Sequence, residues 1–493
     1  MNLKQKAITG IEWNMVAQIG QQIAQFVISI FLARLLMPQD FGLVAMVMVI
    51  VNFAQLFAEQ GFSSALIQRQ KLRSEHIHSI WWLNIIMGIC LSAILFIIAP
   101  AVATFYSEEK LSKISQVLAL SFFITSFAIV PKAMLRKKLA FKQIALVEIV
   151  SIISSGCFAI LLAISGFGVW SLVFQSLCHN LISTGLVWYA AHWHVRLIFK
   201  INPIKELMNF SVNLLGFNTI NFWARNADNL LIGRFMGSTS LGIYNRAYKL
   251  MLLPITQISN VLTRVMFPVL STIQNDPHRV KKIYLNAMGV ISLVASPIML
   301  GMLVTAKPFI LTIYGVKWIE VVPTLQILCG VGLLQSLMNP TGWIYMSQGR
   351  TDWLFRIGLV ACTVFIVSIG VGVWIGTVKA VAISYAVANI LHFYPSIMIP
   401  GKLINMKFVE VIKNVSGPLI SGVMMAVVLW LLKSQFDSNW PTGIALIIQA
   451  FLGAVLYCTF LHLFNVKVYH QVRELVKERW QWHFKEQGVI ISK

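Results

Sequence analysis

The longest stretches of this chain that lack a charged residue decide what it can fold into. Ile80–Ala103, Val321–Gly349, Ile357–Val378, Ala380–Gly401, Asn414–Leu432 and Asn439–Asn465 contain no Asp, Glu, Lys or Arg. Each reaches the roughly 20 residues a helix needs to cross the hydrocarbon core of a bilayer. Ile149–Ala191 is also uncharged and long enough for two crossings, divided at Ser165-Gly166-Phe167-Gly168. Within hydrocarbon the backbone must satisfy its own hydrogen bonds, so such runs fold as helices. The expectation is an all-α polytopic membrane protein with about fourteen transmembrane helices. Only 11% of the 493 residues are charged, against about 25% in a soluble domain.

The net charge of +22 would suit nucleic acid if it were clustered, but its distribution reads as topology. With the N-terminus inside, 27 Lys and Arg residues fall in the termini and on the cytoplasmic turns, among them Lys132, Arg136, Lys137, Lys138 and Lys142. Only Lys110, Lys113, Lys307, Lys317, Lys379 and Lys433 fall outside. That asymmetry follows the positive-inside rule and places both termini in the cytoplasm. No nucleic-acid partner is expected. Met1–Gly10 shows no cleavable signal pattern. In the tail, Val468, Val472, Leu475, Val476 and Trp480 share one helical face, which suits either an inner-leaflet contact or a short solvated helix.

Two polar seams interrupt the apolar background. Asn14, Gln18, Gln21, Gln25 and Ser29 follow one face of a helix, as do Ser211, Asn218, Asn221, Arg225 and Asn229. Gln18, Gln21 and Gln25 map onto Asn218, Asn221 and Arg225 at a constant offset of 200 residues. Each seam leads into a similar turn, Leu32-Ala33-Arg34 to Phe41-Gly42 and Ile232-Gly233-Arg234 to Leu241-Gly242. A duplicated chain with a polar stripe in each half implies two lobes facing water, the architecture of a transporter. The organisation expected is a six-helix bundle over 1–200, a second over 201–405, two further helices over 406–465 and a basic tail over 466–493.

Charge left inside the membrane is costly and normally faces protein or water. Arg34, Arg225, Arg234, Arg246, Lys249 and Arg264 remain in or at the ends of spans, with Glu12, Glu59, Glu148 and Asp228. Arg225 and Asp228 are spaced to pair, and Arg246 and Lys249 are neighbours on one helix face. The excess of basic groups implies an anionic cargo. Arg34, Arg234 and Arg264 are equally readable as interfacial anchors. Cys90, Cys157, Cys178, Cys329, Cys362 and Cys458 lie singly in apolar spans and read as core residues, not disulfides or metal ligands. Neither a cofactor nor a metal is expected. Pro254, Pro297, Pro340 and Pro418 fall within spans, and Asn339-Pro340-Thr341-Gly342 reads as a bend.

The order of several short motifs carries a family resemblance. They are Leu32-Ala33-Arg34 with Phe41-Gly42, then Thr263-Arg264-Val265-Met266-Phe267-Pro268 with Ile273-Gln274-Asn275-Asp276. Tyr314-Gly315 with Trp318, Pro323 and Leu325-Gln326-Ile327-Leu328-Cys329 follow, then Asn339-Pro340 and Gly349-Arg350-Thr351-Asp352. In these the chain resembles bacterial polysaccharide flippases of the colanic-acid, O-antigen and teichuronic-acid type. These share a superfamily with multidrug extruders and the peptidoglycan lipid flippase. The resemblance implies two pseudo-symmetric six-helix bundles plus two extra C-terminal helices in the bacterial inner membrane. It also implies a cargo of undecaprenyl-diphosphate-linked oligosaccharide, flipped outward by alternating access, with membrane lipids and polysaccharide polymerase or export machinery as partners.

Residue chemistry fits that cargo. Gln18, Gln21, Gln25, Asn218 and Asn221 suit sugar hydroxyls, while Arg34, Arg225, Arg246, Lys249 and Arg264 suit a diphosphate. Glu12, Glu59 and Asp228 are the carboxylates available to couple an H+ or Na+ gradient. A multidrug extruder on the same fold is the first alternative, but its cationic cargo would favour an acidic lining. A membrane enzyme acting on lipid-linked glycans is the second. Outer turns as short as Met37–Asp40 and Ser238–Thr239 leave little room for positioned catalytic groups.

Overall fold

The computed structural model describes the backbone of residues 3–59, 66, 73–474 and 478. Side chains of residues 3–17, 58–59, 202–218, 220–221, 224–225, 258, 260–261, 264 and 437–439 lie outside the described set. Every regular element among the described residues is helical. The chain groups into two compact units, Met1–Asn245 and Arg246–Lys493.

In the first unit α1 (Leu3–Leu35), α2 (Pro38–Glu59), α3 (Ser74–Tyr106), α4 (Lys110–Lys137), α5 (Phe141–Ile164) and α6 (Val169–Ala191) follow in order. Helix α1 packs on α5, α3 on α4, and α6 on both α4 and α5. The α5–α6 break falls at the glycine pair read from sequence, where Gly166 and Gly168 take φ of 83° and 55°. Gly156 shows how close α1 and α5 come, since an added Cβ would stand 2.2 Å from Ile28 Cδ1. Helix α7 (Ile201–Thr272) begins here as a long tract broken at Gly237, whose φ of 82° and ψ of 177° are open only to glycine.

The second unit continues α7 and adds α8 (Pro277–Ile313), α9 (Val321–Met338), α10 (Thr341–Ser347), α11 (Thr351–Ile375) and α12 (Val378–Gly401). Then come α13 (Phe408–Leu431), α14 (Lys433–Asn439) and α15 (Thr442–Leu463). The bend expected at Asn339-Pro340 is the α9–α10 junction. Helices α13 and α15 both pack against α8. Ser296 and Leu300 meet Gly422 there, and the Tyr457 hydroxyl donates to the Leu293 carbonyl at 2.9 Å. The start of the tail joins this packing. Val468 is 4% exposed and would touch a Cβ on Gly289, so it contributes to the protein core, whereas the sequence pattern put it on an inner-leaflet or solvated face. Leu475, Val476 and Trp480 lie outside the described residues.

Ten helical segments among the described residues are long and apolar enough to cross a membrane, fewer than the fourteen expected. Helices α1, α6 and α7 are absent from the ten, and polarity explains α6 directly: Gln175, Ser176, His179 and Asn180 interrupt it. Helices α1 and α7 each include residues outside the described set. Helix α7 forms two arms on either side of Gly237, so this one tract holds two helices.

Candidate functional site

Helix α1 has three separate faces. Ile23, Val27 and Phe31 form an exposed apolar stripe, while Ala24 and Ile28 pack towards α5. Gln18 and Gln21, half-buried, and Gln25, exposed, occupy the remaining face, as helical spacing requires. Arg34, exposed in the last turn where a cation complements the helix dipole, lies on the side of the apolar stripe and not on the amide face. Asn52 and Gln55 add an exposed and a half-buried amide on α2.

The two turns at the ends of the seams meet one another. A Cβ on Gly42 would stand 1.7 Å from the Ser238 carbonyl oxygen, and one on Gly242 would stand 2.0 Å from the Pro38 carbonyl oxygen. Positions 38 and 238, and 42 and 242, carry the same 200-residue offset as the seams. The contact is reciprocal, residue i meeting j and j′ meeting i′, which is the signature of a two-fold relation. Around it Arg234 donates to Ser107 Oγ at 3.1 Å and lies 5.5 Å from the Phe105 ring centre. Ser238 donates to Glu108 Oε1 at 2.8 Å.

Beyond this contact the second half carries charge. Asp228 is 8% exposed and accepts from the Asn229 backbone N–H at 2.8 Å, with the buried Tyr244 hydroxyl beside it. Asn245 donates to Asn229 Oδ1 at 3.1 Å. In the second unit Arg246 is 9% exposed, its guanidinium 5.0 Å from the ring centres of both Tyr314 and Trp318. Those two rings come from the Tyr314-Gly315 and Trp318 motif, whose role sequence alone did not reveal. Lys249, one turn on, is exposed and makes no ion pair among the described residues. The side chains of Glu12, Glu59, Asn218, Asn221, Arg225 and Arg264 lie outside the described residues, and with them the expected Arg225–Asp228 pair.

A further charged cluster joins three helices of the first unit. Lys132 on α4 bonds Glu148 on α5 at 2.5 Å, and His179 Nε2 on α6 lies 3.9 Å from the other carboxylate oxygen. Three helices separated in sequence supply it, so spacing gives no hint of it. No group of three or more His, Cys, Asp or Glu able to hold a metal occurs among the described residues.

Comparison with known proteins agrees with this reading of the fold. Residues 31–323, more than half of the chain, match the model of a family described as polysaccharide biosynthesis protein. The teichuronic acid biosynthesis protein TuaB of Bacillus subtilis (strain 168) is 28% identical over 96% of this chain and 98% of its own length. The lipopolysaccharide biosynthesis protein WzxC of Escherichia coli (strain K12) is 25% identical over 80% of each chain. Among solved structures, the lipid II flippase MurJ in an inward closed conformation superposes with a TM-score of 0.76 at 13% identity, covering 94% of this chain and 99% of that one. At that identity the likeness is one of fold.

Proposed function

We propose, from the premise that this chain belongs to the polysaccharide biosynthesis protein family, that it flips polyprenyl-diphosphate-linked oligosaccharide repeat units from the cytoplasmic to the outer leaflet. The single observation that carries the reading is the polar chemistry of each unit: the amides Gln18, Gln21 and Gln25 in the first, and the cations Arg246 and Lys249 in the second. A sugar diphosphate cannot enter hydrocarbon, while its polyprenyl chain can stay there. Amides suit sugar hydroxyls and cations suit the diphosphate. The names of TuaB and WzxC, and the lipid II flippase fold, support the same class of cargo.

The finer assignments belong to this proposal. They comprise fourteen spans arranged as bundles 1–200 and 201–405 with two added helices over 406–465, both termini in the cytoplasm, and residence in the bacterial inner membrane. Arg34, Arg225, Arg246, Lys249 and Arg264 hold the anion, with Gln18, Gln21, Gln25, Asn218 and Asn221 beside the glycan. Glu12, Glu59 or Asp228 couples H+ or Na+, and a polysaccharide polymerase takes the product. The basic residues favour this cargo over the cationic drugs of an extruder.

Depletion of the protein in its host provides the test. Lipid-linked oligosaccharide should then accumulate in a form that an impermeant lectin, added outside spheroplasts, cannot reach. Undiminished arrival of the glycan at the outer surface would overturn the proposal.

A further inference from the structure

Within the second unit, four helices bring aromatic rings and amides together at a place none of the charged seams includes. Gln335 on α9 donates through Nε2 to the Tyr385 hydroxyl at 2.7 Å and to Asn389 Oδ1 at 3.3 Å. Asn389 in turn donates to the Tyr385 carbonyl at 2.8 Å. The Phe365 ring on α11 lies 5.4 Å from that of Tyr385 and 5.6 Å from that of His392. Tyr248, on α7 beside Lys249, faces Tyr385 with ring centres 6.2 Å apart.

The orientation of this group is set by helical spacing. On α12, Tyr385, Asn389 and His392 lie along one face, opposite the exposed stripe of Ile383, Val387, Ile390 and Tyr394. On α11, Phe365 lies with buried Ile369 and Gly372, opposite exposed Val360, Val367 and Val371. The cluster therefore points away from both apolar exterior stripes. Its back is sealed, with Asn389 fully buried and Tyr385 8% exposed. Tyr248, Phe365, His392 and Gln335 are half-buried. Half-buried aromatic rings, held beside amides already hydrogen-bonded to one another, suit a ligand that offers both C–H faces and hydroxyls. Saccharides have that chemistry.

We propose that Tyr248, Phe365 and His392, braced by Gln335, Tyr385 and Asn389, form a saccharide-binding subsite next to the Lys249 cation. The assignment rests on the lipid-linked glycan reading above and deepens it. The diphosphate sits at the cation, and the first sugars lie against the rings. Sugar discrimination then belongs to the second unit's rings, while the cations accept any polyprenyl diphosphate.

The test compares two probes bound to purified full-length protein in detergent. One is polyprenyl diphosphate without sugar, and the other is lipid-linked oligosaccharide extracted from cells that express the chain. Wild type should bind the oligosaccharide form more tightly. Tyr248→Ala and Phe365→Ala should each weaken that form by about tenfold, to near the sugar-free level. Sugar-free binding and thermal midpoint should stay unchanged, and Tyr248→Phe should retain the preference. Equal loss for both probes, a lowered midpoint that accounts for the loss, or no loss at all would overturn the subsite. Wild-type protein that binds neither probe would overturn the flippase reading beneath it.

Discussion

The α1–α2 junction and the break at Gly237 are the same joint built twice with different chemistry. In the first, Pro38 starts α2 and the Asp40 carboxylate accepts the Met37 N–H at 2.9 Å. In the second, glycine at 237 takes a backbone conformation closed to other residues, and Ser238 ties the turn to Glu108. What the two share is the pair Gly42 and Gly242, each pressed on the other turn's carbonyl. The repeat therefore preserves the closeness of backbone approach and leaves the means of breaking the helix to vary.

That comparison makes the glycine pair the most sensitive place in the first unit. Gly42→Ala and Gly242→Ala each drive a Cβ into a backbone carbonyl, which cannot swing aside as a side chain would. Each should cost about 3 kcal/mol or more. The thermal midpoint of purified protein should fall by a similar amount for both, and tolerance of one with failure of the other would break the reciprocity. Gly237→Ala comes next, at about 2 kcal/mol for forcing an alanine into a glycine-only region. Met37→Ala, at the matching position, takes no positive φ and should cost clearly less in the same melting experiment.

Smaller effects sharpen the contrast. Asp40→Ala removes the acceptor that starts α2 and should cost about 1 kcal/mol. Ser238→Ala loses the bond to Glu108, worth about 0.5–1 kcal/mol. Combined with Glu108→Gln, it should add little more, because one interaction is removed twice. Full additivity in that double variant would show that the two residues act apart.

The sequence made the repeat legible because the 200-residue offset appears directly in Gln18, Gln21, Gln25, Asn218, Asn221 and Arg225. Helix breaks at Gly166-Phe167-Gly168 and Asn339-Pro340 were legible through backbone chemistry. Contacts between helices distant in sequence were not. Lys132, Glu148 and His179 meet from three helices, and Arg246 stacks on rings 68 and 72 residues further along the chain. Nothing in the helix that carries Arg246 signals that Tyr314 and Trp318 lie against its guanidinium. Lys249, one turn on, is exposed. The span count suffered for a related reason, since Gln175, His179 and Asn180 lower the hydropathy of α6 without removing it from the bundle.

The claim beneath the whole account is that the second half's cations carry the charged headgroup of a lipid-linked glycan across the bilayer. It is tested most directly by reconstituting purified protein in vesicles and following the appearance of labelled lipid-linked oligosaccharide in the opposite leaflet. Wild type should move the label, Lys249→Gln should slow it while protein level and melting stay normal, and Arg246→Lys should be less harmful than Arg246→Gln. Wild-type rates from an Arg246→Gln/Lys249→Gln double variant would contradict it.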